Sequence, residues 1–247
     1  MSLGDWNRYL DGGSLSSSPV GLIYTDILSP MFGTGSVVLT HEVTDEFQSM
    51  NLVPATSPTG FLSGRMRTLI RLDDFDDSGT PNFEENHAGL LCMQSTENMA
   101  QFGNFGGTGK SYGVSVTIGE GFSTQSVRLW KFSAGLDGSS GALPFGDILT
   151  SVLPPFVLSQ GQTIALELTW KAEPLTLLDL GGVYLRAKIG QATDFSDLQT
   201  VITYIDAASP YTATVAESIW AGFKNVVNTS ANRVTFDQTS LYRTVVT

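Results

Sequence analysis

A two-residue rhythm restricts this chain more than any other feature. In Phe61–Leu72 the residues Arg65, Arg67 and Arg71 share one parity, while Met66, Ile70 and Leu72 share the other. Successive side chains of an extended strand point to opposite faces, so this segment predicts one wet face and one packed face. Thr163–Lys171 repeats the pattern, with Ile164, Leu166, Leu168 and Trp170 alternating against Thr163, Ala165, Glu167, Thr169 and Lys171. A helix would scatter those four apolar side chains around its circumference. Comparable runs, bounded by Gly, Pro, Asn, Asp and Ser, fall near 20–28, 36–43, 88–94, 112–118, 126–133, 183–189, 200–205 and 232–246. The segment 214–227 has a capping-box pattern at Thr214 and Glu217, with Ile219, Phe223, Val226 and Val227 at helical spacing. Gly222 in its middle, together with Trp220, Val226 and Val227, favours a strand followed by a turn over 228–232. Many short strands without a tandem repeat predict an all-β, antiparallel two-sheet sandwich.

Composition sets the outer limits. At 247 residues and 41% hydrophobic, the chain can bury a core without disulfide or metal staples. Its 15% of charged residues lies well under the usual share of about 25%, which disfavours long solvated helices. Residues 1–19 are small and polar, with Asp11-Gly-Gly13 and Ser14-Leu-Ser-Ser-Ser-Pro19, and are read as an N-terminal arm that orders on docking. Residues 20–247 are then the folded domain. The balance of 13 basic against 24 acidic residues, −11 overall, repels a phosphate backbone, so nucleic acid is not an expected partner. The one cysteine, Cys92, excludes an intrachain disulfide and any multi-thiolate metal site, and suits a reducing cytosol. Met1–Arg8 lacks the basic start and apolar stretch of a secretory leader. No apolar run reaches the roughly 18 residues that span a bilayer, so no membrane partner is expected. Asn228-Thr-Ser230 carries little weight as a glycosylation sequon on that footing.

The runs Ala88–Met93, Tyr112–Val116, Val127–Lys131, Leu166–Trp170 and Tyr184–Lys188, closed by Val234–Asp237 and Leu241–Arg243, resemble the concanavalin A-like, laminin-G-like jelly roll. The resemblance covers 20–247 and lies in a rhythm of strands rather than in invariant residues. Domains of that kind include lectins, family 16 glycoside hydrolases, laminin-type adhesion modules and capsid or tail proteins of bacteriophages, so fold does not choose function. With its arm and leaderless start, the chain is most similar to the stand-alone phage version. That resemblance implies a non-enzymatic virion structural protein, a capsid decoration or a tail or baseplate component. It would be made in the host cytoplasm and would contact other virion proteins and copies of itself. The alternative is a lectin-like module for host-surface glycans.

Candidate chemistry is sparse. The acid triplet of a family 16-like hydrolase has its nearest match in Glu42-Val-Thr-Asp45-Glu46, where Asp45 points away from Glu42 and Glu46. Ser111 in Gly109-Lys-Ser-Tyr-Gly113 imitates a nucleophile elbow but precedes a strand rather than a helix. Gly106-Gly-Thr-Gly-Lys-Ser111 imitates a phosphate loop but has Asn104 where the first glycine belongs. The sharpest pattern is Asp73–Glu85: counted from Asp74, it places Asp76 third, Ser78 fifth, Gly79 sixth and Glu85 twelfth, the oxygen-ligand spacing of a calcium loop. Pro81 in the eighth position and strand-like flanks depart from that motif, and the competing reading is an acidic solvated connection. Any Ca2+ would be held by Asp74, Asp76, Ser78 and Glu85; no other cofactor is expected. His41 and His87 are too few and too far apart for transition-metal chemistry. Among the aromatics, Trp130 and Trp170 fall within apolar alternation and are expected in the core. Trp6, Trp220 and Tyr211 are the expected rim for a glycan or a protein partner.

Overall fold

The computed structural model describes residues 6–10, 24–25, 37–40, 46–52, 63–74, 85–95, 109–119, 124–133, 146–173, 181–211, 216–224 and 233–244. The strands within them are β1 (Trp6–Leu10), β2 (Tyr24–Thr25), β3 (Val37–Thr40), β4 (Glu46–Leu52), β5 (Ser63–Asp74), β6 (Glu85–Gln94) and β7 (Ser111–Gly119). They continue as β8 (Thr124–Phe132), β9 (Gly146–Val152), β10 (Thr163–Glu173), β11 (Gly182–Gly190), β12 (Gln199–Asp206), β13 (Ala216–Lys224) and β14 (Arg233–Thr244). They form two seven-stranded sheets, sheet A in the order β1-β4-β13-β6-β7-β8-β9 and sheet B in the order β12-β11-β10-β5-β14-β3-β2. Every pairing among the described strands is antiparallel. The expected antiparallel two-sheet sandwich is what the chain forms.

The alternation read in the sequence is what holds the sheets face to face. Met66, Ile70 and Leu72 of β5, and Ile164, Leu166, Leu168 and Trp170 of β10, are buried in the layer between the sheets. Sheet A supplies Ala88, Leu90 and Cys92 from β6, Val114, Val116 and Ile118 from β7, and Val127 and Leu129 from β8. Each fully buried aliphatic side chain contributes about 1.5–3 kcal/mol, so this layer dominates the stability. Cys92 lies inside it; burial pushes its thiol well up, and the negative charge of Glu217 pushes it further, so it stays protonated.

The opposite face of sheet A is also packed. All nine residues of β7 are buried. Ser115 and Thr117, which point away from sheet B, join a cluster of His87, Trp130, Phe132 and Trp220, all fully buried apart from the nearly buried Thr117. The His87 ring stacks on Trp220 at 5.7 Å and meets Trp130 edge-on at 5.6 Å. Trp130 Nε1 donates to Ser115 Oγ (2.9 Å), and His87 Nδ1 lies 3.0 Å from Thr117 Oγ1. Gly113 makes room for this cluster, because a Cβ there would stand 2.8 Å from Leu91 Cδ2 and 2.9 Å from Phe132 Cε2.

Several expectations change. Trp130 is buried as expected, but on the far side of sheet A rather than between the sheets. Trp220, expected at the rim, is fully buried there, because β13 is an inner strand between β4 and β6 and its outward row is covered. The segment 216–224 is a strand, as the balance of signals favoured, and its expected turn lies outside the described residues. Trp6–Leu10, within the expected arm, instead forms edge strand β1, paired with β4 from Trp6↔Leu52 to Leu10↔Gln48. Strands β4 and β9 were not foreseen, and β2 spans only Tyr24–Thr25 of the expected 20–28. A test follows from the corrected position of the indole. Trp220→Ala should lower unfolding free energy by about 3–5 kcal/mol, measured by denaturant titration. A rim residue would lower it by less than about 0.5 kcal/mol.

Candidate functional site

One of the expected contact residues, Tyr211, sits on a buried polar clamp that joins the two sheets. Tyr112 and Lys131 are register partners on β7 and β8, both in the rows that face sheet B. Asp206 is the last residue of β12, the edge strand of sheet B, in the row of Ile202 and Tyr204. Ending those apolar rows with a phenol, an ammonium and a carboxylate places a polar cluster at the mouth of the sandwich. Tyr112 Oη donates to Asp206 Oδ2 (2.6 Å), and Lys131 Nζ donates to the same oxygen. Lys131 also donates to the Ser209 carbonyl (2.8 Å) and to Ser209 Oγ (2.9 Å). Tyr112 Oη in turn accepts from the backbone N–H of Tyr211 (3.0 Å). The half-buried Tyr211 ring is thereby set 5.1 Å from the Tyr112 ring, with Lys131 Nζ 4.9 Å and Lys110 Nζ 5.7 Å from its centroid.

The electrostatics suit positioning rather than proton transfer. Burial alone would raise the Asp206 pKa, but the hydrogen bonds from Lys131 and Tyr112 and the lysine charge outweigh it, so the carboxyl is held below its ordinary value. Burial, then the Asp206 hydrogen bond, pushes the Tyr112 phenol far up. Burial, followed by the charges of Asp206 and Asp147, raises Tyr211 as well. Asp194, an exposed loop carboxyl, is held down by its hydrogen bonds from Ser196. A glycosidic general acid needs a carboxyl raised toward neutrality, the reverse of what Asp206 and Asp194 undergo. The clamp offers instead a neutral phenol donor, a fixed aromatic face and flanking cations.

The remaining candidates do not gather here. Trp6 lies in β1 at the far edge of sheet A, and its side chain lies outside the described residues, as do those of Asp74 and Glu85. Asp74 ends β5 in sheet B and Glu85 begins β6 in sheet A, so the acidic segment passes from one sheet to the other. Asp76 and Ser78 lie outside the described residues, as do Glu42, Asp45 and His41. The adjacent Asp73 is engaged by Arg71 and by the Thr235 hydroxyl. No cluster of three metal-ligating side chains occurs among the described residues. Ser111 is the fully buried first residue of β7, which denies it the exposure a nucleophile needs. His87 is a packed histidine of the aromatic cluster. Tyr112, Lys131 and Asp206 were missed by sequence reasoning; the one available signal was a lysine in the inward parity of Val127 and Leu129.

No family model matches the chain, and no curated protein is similar to it in sequence. Solved structures do match. The potassium-bound Emp46p carbohydrate recognition domain aligns with 99% of this chain and 91% of its own, at 14% identity and a TM-score of 0.53. The Emp47p carbohydrate recognition domain aligns over 98% and 90% at 12% identity, TM-score 0.51. The VIP36 exoplasmic/lumenal domain in its Ca2+/Man-bound form aligns over 98% and 89% at 10% identity, TM-score 0.52. At these identities the likeness shows the fold alone, a concanavalin A-like two-sheet sandwich.

The clamp makes stability depend on pH at both ends. Because the folded pKa of Asp206 is lowered, its contribution is present above the unfolded value of about 3.9 and is lost as pH falls through the folded one. The raised phenol of Tyr112 works oppositely, its contribution fading as pH rises beyond about 10. Asp206→Asn should cost about 3 kcal/mol at neutral pH by stranding Lys131, and should flatten the acid limb of a stability–pH profile. An unchanged acid limb would remove Asp206 from this role.

Proposed function

We propose that this protein is a carbohydrate-binding module that acts by binding rather than by catalysis, with Tyr211 as a sugar-contacting face. The observation that carries the reading is the near full-length match to carbohydrate recognition domains, joined to a clamp that fixes an aromatic ring at the sandwich mouth. Sugars present apolar C–H faces that stack on such rings, while neighbouring Lys110 and Ser209, both exposed, supply donors to hydroxyls. The matched VIP36 domain is a Ca2+/Man-bound form, which makes mannose-type oligosaccharides the first probes. The expected virion role draws no support from the matched structures.

The same reading assigns a Ca2+ ion to the acidic segment through Asp74, Asp76, Ser78 and Glu85. The donor set fits in kind, being all oxygen and rich in carboxylate, as a hard cation requires. Asp73 is excluded from it, because Arg71 and Thr235 already occupy its carboxylate. Bound calcium would neutralise clustered carboxylates where the chain crosses between the sheets.

Two measurements test this. Isothermal titration with mannose oligosaccharides should give binding that weakens about tenfold in Tyr211→Ala, the loss of one ring stack. Binding equal in the variant and the parent chain would displace Tyr211 from the site. Chelation should lower the melting temperature, since an ion at a hundredfold excess over its Kd adds about 2.7 kcal/mol to the native state. A melting temperature indifferent to both chelator and added Ca2+ would delete the ion from the reading.

A further inference from the structure

The face of sheet B turned away from sheet A gathers basic residues in a chain that is otherwise acidic. Arg65, Arg67 and Arg71 share that face on β5. Lys171 on β10 joins them, as do Arg186 and Lys188 on β11, through the cross-strand rows Arg65↔Thr169↔Arg186 and Arg67↔Glu167↔Lys188. These are six of the chain's 13 basic residues. Asp73, Glu167 and Asp237 are the acids whose side chains are described on these strand faces, and Glu173 continues the Lys171 row of β10. Basic residues are therefore concentrated on one face of a chain that is acidic as a whole.

Glu167, 3% exposed, is 3.1 Å from Lys188 Nζ and 3.8 Å from Arg65 Nε. Asp73 is taken by Arg71 and Thr235. In the row Tyr242–Arg65–Thr169–Arg186–Thr203, the atoms Arg65 Nε, Thr169 Oγ1 and Arg186 Nε are buried and have no hydrogen-bond partner, so a ligand reaches this row through the outer ends of the guanidinium groups. Arg65, 41% exposed, lies 4.4 Å from the ring centroid of Tyr242, itself 46% exposed. Arg67 lies 4.4 Å from the Phe195 ring. Aromatic neighbours thus hold the Arg65 and Arg67 guanidinium groups in place, Arg67 Nε also donating to Ser240 Oγ (3.2 Å), which lowers the ordering cost for an incoming anion.

We propose that this outer face binds an acidic polysaccharide of the carboxylated kind, a polyuronate, centred on Arg65, Thr169 and Arg186. Residues two apart on a strand stand about 6.8 Å from one another, and β5 and β11 lie about 9.6 Å apart across β10, so the cations form a sparse grid. Duplex nucleic acid brings one charge per roughly 1.7 Å on a stiff rod that would extend over the acidic remainder. An acidic peptide gains most of its affinity by adding to a sheet edge, whereas the backbone groups of these inner strands are already paired. A sugar chain with one carboxylate per residue matches the grid, each carboxylate suiting an arginine fork. Its hydroxyls meet the exposed Thr203 beside the cations. This site is separate from Tyr211 and does not require that ring to bind sugar.

The test uses the full chain, with polygalacturonate as the probe in isothermal titration or affinity electrophoresis. Binding is expected at low ionic strength and should fade toward about 0.5 M sodium chloride, where screening shortens to a few ångströms. Arg186→Gln, which breaks no described ion pair, should weaken it about tenfold, and Arg65→Gln by a similar factor. Both variants should keep the parental melting temperature within a few degrees and any mannose-oligosaccharide binding unchanged. Should Arg65→Gln fold poorly for want of its Glu167 contact, Arg186→Gln alone decides. No binding of polygalacturonate to the parent chain at low salt overturns the inference, as does equal binding by Arg186→Gln. Tighter binding of heparin, duplex DNA or polyglutamate than of polygalacturonate overturns the choice of ligand. Tyr211→Ala separates the two sites: loss of mannose binding with polygalacturonate retained supports both assignments. Failure of mannose binding in the parent chain leaves the polyuronate result to stand or fall by itself.

Discussion

Alternation along β5 and β10, interrupted on β5 by Thr68 and Leu69, is the constraint from which the rest of the structure follows. Two pleated sheets exclude water from the space between them only if inward positions are apolar or, like Thr68, hydrogen-bonded within the fold, and a register slip of one residue would reverse a whole strand. Met66, Ile70 and Leu72 facing Ile164, Leu166 and Leu168 satisfy that demand at the centre of sheet B. The same parity commits the opposite row to Arg65, Arg67 and Arg71, so packing the core and charging the outer face are one decision in the sequence. Where the inward rows end, at Tyr112, Lys131 and Asp206, polar groups replace apolar ones and satisfy one another across the gap.

A sandwich built in this way presents two kinds of surface. The mouth, tied by the clamp, presents a ring whose position depends on hydrogen bonds within a mostly buried network. The outer face of sheet B presents rigid strand residues whose spacing is set by the backbone.

The fold was legible wherever a strand had one apolar and one polar face. β5, β10, β11 and β14 were read close to their observed limits for that reason. The edge strands β1 and β9 escaped notice: β1 is only five residues long, and β9 is largely half-buried or exposed, with no clear alternation. Trp220 was misplaced for the opposite reason, since both faces of β13 are buried and an outward parity there does not lead to solvent. The clamp was invisible because Tyr112 and Asp206 are 94 residues apart and no local pattern links them. Of the expected contact residues, Tyr211 was recognisable as an aromatic just beyond a strand, whereas its partners are set by tertiary pairing.

Strand order imposes a timetable on folding. β6, β7, β8 and β9 are neighbours in both sequence and space, so this meander can assemble while the polypeptide is still being elongated. β13 must then slot between β4 and β6, and β14 between β3 and β5, each closing loops of well over a hundred residues. Until those two late strands arrive, β5 and β6 each expose an unpaired edge, the kind of surface on which nascent chains stick to one another. Slow closure of long-range pairings is the cost of this topology.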